Sequence, residues 1–148
     1  MEEDDAVNID LTGINWLAVI AATVIYFALG AVWFAPQTPL GRAWMKAGGY
    51  RSPTEGARSS SAFYMIPAFT AFVIVSATAL IARATGTDAL SEGIVLGLVA
   101  GIGYAAMVVL TTAAFEFSKP QRWTWGVIDA SYHAIGILIA AVIIAVWQ

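Results

Sequence analysis

Three long stretches of this chain hold no charged residue: 11–41, 59–82 and 93–115, runs of 31, 24 and 23 residues. A fourth stretch, 123–148, carries one acid, Asp129, and the single histidine of the chain, His133. About 20 apolar residues rising 1.5 Å each cross a hydrocarbon core of roughly 30 Å, so each stretch is long enough to span a bilayer as a helix. A soluble domain is excluded on the same grounds. Hydrophobic residues make up 59% and charged residues 11% of the 148, where soluble chains run near half and a quarter. The fold class expected is all-α: an integral membrane four-helix bundle, one domain over 1–148, with spans at about 14–34, 62–82, 92–115 and 125–147.

The segments between the spans carry their own signals. Thr38 and Pro39 have the character of an N-cap and a first helical position. Leu40, Ala43, Trp44 and Ala47 recur at helical spacing while Arg42 and Lys46 turn away. That pattern predicts a short amphipathic helix over about 39–47, lying on the membrane surface in the first cytoplasmic loop. Gly48, Gly49, Ser52, Pro53 and Ser59 to Ser61 mark a flexible remainder. The loop 116–124 is short enough to set the third and fourth spans antiparallel. Arg42, Lys46, Arg51, Arg58, Lys119 and Arg122 fall on one side and Arg83 alone on the other, so the positive-inside rule places the basic loops in the cytoplasm and both termini outside. The cell (inner) membrane, crossed several times, is the expected location. The acidic opening, Glu2 to Asp5, is the reverse of a secretory leader, and no cleaved signal is expected.

Composition removes further classes. With Cys 0 there is no disulfide framework, thiolate metal site or cysteine nucleophile, and no basic surface exists for nucleic acid. No cofactor motif or metal-ligand signature occurs, and the chain reads as non-enzymatic. The partners expected are the lipid bilayer and either a second copy of the chain or another membrane protein.

Within the spans, Gly93, Gly97, Gly101 and Ala105 recur every four residues. In lipid, where burial gives no inward push, small residues at that spacing let helix backbones approach closely. The stripe suits packing inside the bundle, or a seam to another chain. Advancing 100° per residue carries the same face on to Val108, Thr112 and Glu116, while Asp129, His133, Gly136 and Ala140 share a stripe of the fourth span. If the stripes face one another, Glu116, Asp129 and His133 converge in the cytoplasmic half, with Asp129 about 6 Å and His133 about 12 Å inward of Trp125. Tyr104, Thr112 and Tyr132 are then expected to line a pocket beside them. Ionisable groups at that depth are costly unless paired or hydrated. Asp129 and His133, four apart, are placed for a carboxylate–imidazole hydrogen bond. A small-solute or proton site is the functional expectation. The alternatives are a structural clasp and an accessory subunit that docks through the glycine face. The six tryptophans, Trp16, Trp33, Trp44, Trp123, Trp125 and Trp147, map to interfaces, where indoles act as anchors.

The runs Ile14–Val19, Phe27–Pro36 and Gly41–Met45, with Phe115-Glu116-x3-Pro120 and Asp129-x2-Tyr132-His133, resemble the bacterial membrane family called domain of unknown function 1761. The resemblance covers nearly the whole chain. It implies four spans and an integral membrane location. It brings no catalytic residues, and it marks Asn15, Trp33, Pro36, Trp44, Glu116, Asp129 and His133 as family-like positions.

Overall fold

Asn15 starts the first span. Its side-chain Oδ1 accepts the N–H groups of Leu17 and Ala18, both at 3.1 Å, and so caps helix α1 (Trp16–Trp33). The computed structural model describes residues 11–51 and 62–147. The expected solvated tail before Leu11 and the expected flexible stretch from Ser52 to Ser61 lie outside the described residues. After Phe34 the chain turns through Pro36, and Thr38 caps α2 (Pro39–Gly48) by accepting the Gly41 N–H at 2.9 Å. Gly41 has to be glycine, because a Cβ there would fall on the Ala35 carbonyl. Gly49, at φ +74°, ends the helix in the left-handed conformation that glycine adopts freely.

Helix α3 (Ala62–Thr85) accepts Pro67 near its start and ends at Gly86, φ +65°. No residue from Tyr64 to Thr70 is buried; packing begins at Ala71 and continues through Val75, Ala79 and Ala82. Helix α4 (Leu90–Phe115) begins earlier than the expected 92, since the Glu92 carboxylate accepts the Asp88 and Ala89 N–H groups at 3.0 and 3.3 Å. Its middle, Val99–Ala106, is π-helical. Helix α5 (Arg122–Val146) also begins earlier than expected, with Trp123 and Trp125 in its first turns.

Four helices, α1, α3, α4 and α5, are long and apolar enough to cross a membrane, and α2 joins the first pair. They alternate in direction. At one end the Asn15 Nδ2 donates to the Trp147 carbonyl at 2.8 Å, and Arg83 lies against Gly13. At the other end the Gln121 N–H donates to the Ala47 carbonyl at 3.0 Å, tying the α4–α5 loop to α2. Helix α5 touches every other helix of the bundle and is the most buried of the four spans.

The glycine stripe packs inside the bundle. A Cβ on Gly93 would come within 2.7 Å of the Ala145 Cβ, on Gly97 within 2.7 Å of the Leu138 Cα, and on Gly101 within 2.8 Å of the Ala134 carbonyl. The face available for docking another protein is therefore taken by α5, which removes the support for an accessory role through it. Beyond Gly101 the stripe departs from the expected path. A π turn holds i→i+5 bonds and takes in an extra residue, so everything downstream is turned by about 100°. Ala106 and Ala113 occupy the α5-facing positions, and Val108 and Thr112 look outward. Ala105 is partly buried against the core.

Candidate functional site

Halfway along the bundle, the hydroxyl of Tyr26 on α1 lies 2.6 Å from Nδ1 of His133 on α5. His133 is about 17 Å along the helix from Arg122 and about 20 Å from Val146, close to the middle of the span. Tyr26 is 1% exposed, the largest side chain among the described residues to be enclosed so completely. Two glycines make the room. A Cβ at Gly136 would collide with the Tyr26 ring, and one at Gly30 would come within 2.9 Å of the Tyr132 hydroxyl. The sequence therefore leaves a gap on each helix opposite a tyrosine of the other.

The bond has two polarities. Either the tyrosine donates and Nδ1 accepts, leaving the imidazole proton on Nε2, or Nδ1–H donates to the phenol oxygen. Among the described residues no hydrogen bond reaches Nε2. Tyr132 packs tilted on both rings, its centroid 5.2 Å from Tyr26 and 4.8 Å from His133, and its hydroxyl makes a long 3.4 Å bond to the Tyr26 carbonyl.

The expected partner of His133 was Asp129. It lies one turn nearer the α2 end and is half-buried, and no hydrogen bond among the described residues reaches its carboxylate. Lys119 is the cation whose charge acts on it. Lys119 in turn donates to the Tyr50 hydroxyl at 3.2 Å and lies 5.2 Å from the Tyr50 ring centroid and 4.5 Å from that of Trp125.

Glu116 does not join this group. It follows the last turn of α4, where its carboxylate accepts the Ser118 hydroxyl, and no group of three or more His, Asp or Glu among the described residues could hold a metal ion. Tyr104 is 71% exposed and Thr112 is exposed with its hydroxyl returned to the Val108 carbonyl, so neither lines a pocket with His133. The cause is the rotation of α4 described above. Of the three pocket positions expected, Tyr132 alone reaches the site.

A column of rings leads outward from it. Tyr132 meets Phe34 at 5.1 Å, Phe34 meets Trp44 at 4.9 Å, and Trp44 meets Tyr50 at 4.8 Å, where Lys119 closes the series. Five segments contribute, so helical spacing along any one of them could not have disclosed it. Two tryptophans do more than anchor. The Trp33 indole donates to the Ile128 carbonyl at 3.1 Å, joining α1 to α5, and Trp44 is stacked within the column. Asn15, Trp33 and Trp44 are thus helix-joining positions, and Pro36 lies in the turn between α1 and α2.

A shallow cleft framed by Asn15, Arg83 and Trp147 opens at the opposite end, with space for about one water. It is remote from His133, which is not among the residues that line it.

No curated protein and no solved structure matches the chain. A family model described as a protein of unknown function (DUF1761) matches residues 17–145, nearly the whole of it. The chain belongs to that family.

Proposed function

We propose that this membrane protein handles protons inside the bilayer, with His133 as the exchanging group, Tyr26 as its hydrogen-bonded partner and Asp129 as the step toward the basic end. The observation that carries this reading is the 2.6 Å contact between Tyr26 and His133 in the middle of the bundle. A buried neutral pair would serve as a clasp in either polarity, but a pair free to reverse its polarity also moves a proton between two positions. Intramembrane histidines and carboxylates in series are the usual material of proton relays. Asp129 lies about 6 Å further along α5, one turn from His133. The reading is non-enzymatic and needs no cofactor. By the distribution of Lys and Arg, the end that carries Lys119 and α2 faces the cytoplasm of a cell membrane.

The test is proton flux into liposomes that contain the purified protein, driven by a potassium diffusion potential and followed with an enclosed pH dye. His133→Gln and Asp129→Asn are expected to lower the flux by tenfold or more, with helical content unchanged. Flux equal to the parent in both variants overturns the reading.

A further inference from the structure

The buried α5-facing positions of α4 step by four, four, five and seven: Gly93, Gly97, Gly101, Ala106 and Ala113. An unbroken α-helix would instead bring Ala105 and Thr112 to that face. Both sets are small residues seven apart, so the chain carries two usable packing registers for the second half of α4. We propose that α4 exchanges between them, with the π-helical segment Val99–Ala106 as a dislocation that forms and relaxes. Relaxation to α-helix turns Met107–Phe115 by about 100°, withdraws Ala106 and Ala113 from α5, and inserts Ala105 and Thr112.

Three observations favour this exchange. Packing does not hold the outer side of the segment: Ile102, Gly103 and Tyr104 are exposed, and a Cβ on Gly103 would meet nothing within 4 Å. The incoming Thr112 already returns its hydroxyl to the Val108 carbonyl at 3.1 Å, so it enters an apolar contact with its donor satisfied. The facing residue, Gly126, has no side chain, and Ala113 now rests in that space. The two registers differ in chemistry as well as shape. In the second, a hydroxyl replaces a methyl beside Gly126, three residues before Asp129. The exchange stands without any proton function, and its test needs none.

The chain contains no cysteine, so every thiol in the experiment is introduced. Two double variants in lipid bilayers, Ala113→Cys with Gly126→Cys and Thr112→Cys with Gly126→Cys, report the two registers by oxidative cross-linking. Both are expected to link. The Thr112 pair should be about 10- to 1,000-fold slower, as befits a minor state of about 0.1–10%. Deleting Gly103 removes the extra residue and leaves Ala106 and Ala113 four and eleven positions after Gly101 on an unbroken helix, so it should keep the Ala113 pair linking and abolish the Thr112 link. A Thr112 pair that never links in the intact chain overturns the proposal, as does a deletion in which the Thr112 pair still links as it does in the intact chain. Because a thiol at Gly126 adds bulk, methyl exchange in the cysteine-free chain serves as the second measurement. Ala105, Ala106 and Ala113 should exchange with a second state while Ala141 and Ala145 do not; a single unexchanging set for all five overturns the proposal.

Discussion

Helix α5 meets α4 through glycine and alanine, and it meets α1 through rings and hydrogen bonds. On the α4 side, Gly93, Gly97 and Gly101 bring backbone against Ala145, Leu138 and Ala134, and the attraction comes from many close van der Waals contacts with no polar side chain at these three contacts. On the α1 side, Tyr26, Tyr132 and His133 form a ring cluster, with Trp33 bonded to Ile128 and Asn15 to Trp147. In lipid both means hold helices together, but they differ in what they permit. A small-residue face tolerates rotation by one residue when the next residue is also small. A face built on directional bonds has one register.

That contrast is open to measurement. The largest effect is expected from Gly97→Leu, which forces a side chain into a space where even a Cβ lies 2.7 Å from the Leu138 backbone. It should cost about 3 kcal/mol or more, read as the fraction folded in a detergent denaturation series, and stability like the parent's would refute backbone-tight packing of α4 on α5. Gly136→Ala comes next. Its methyl would strike the Tyr26 ring, at a cost of about 1–3 kcal/mol, and a partial rescue by Tyr26→Leu would tie the loss to that ring. Asn15→Ala removes both the cap of α1 and the tie to Trp147, for about 1 kcal/mol in the same assay; no change would make the tie energetically idle. The smallest effect belongs to the pair itself. A double-mutant cycle of Tyr26→Phe and His133→Gln should yield a coupling of about 0.6 kcal/mol and not above about 1.7, the range of interhelical hydrogen bonds in membranes. A coupling near zero would mean that rings, and not the bond, fix the α1 register.

Much of this architecture is written plainly in the chain. Uncharged runs long enough to cross the bilayer locate the spans, and Thr38-Pro39 with Gly49 bounds α2 to within a residue. The stripe Gly93, Gly97, Gly101 identifies a packing face. Asp129 and His133 stand out because lipid tolerates few such residues. The rest was hidden for physical reasons. A π turn leaves no mark in an apolar segment when neighbours such as Ala105 and Ala106 are both small, so the 100° rotation that carries Thr112 and Tyr104 outward was not visible. The partner of His133 is more than a hundred residues distant, on α1, whereas helical spacing can point only to a neighbour such as Asp129. One clue was available: Gly30 and Gly136 interrupt otherwise bulky runs, and each marks the place where a tyrosine from another helix enters.

The amide of Asn15 divides its work between two moments in the life of the chain. Its oxygen accepts the Leu17 and Ala18 N–H groups within the same turn, a cap that needs no other helix in place. Its nitrogen has to wait. The Trp147 carbonyl that accepts from it is 132 residues later and reaches the same end of the bundle only when the fourth span is in place. Until then the nitrogen is left to water at the membrane surface. Engagement of that one donor therefore reports that the fourth span has packed beside the first, as distinct from insertion of the first span alone.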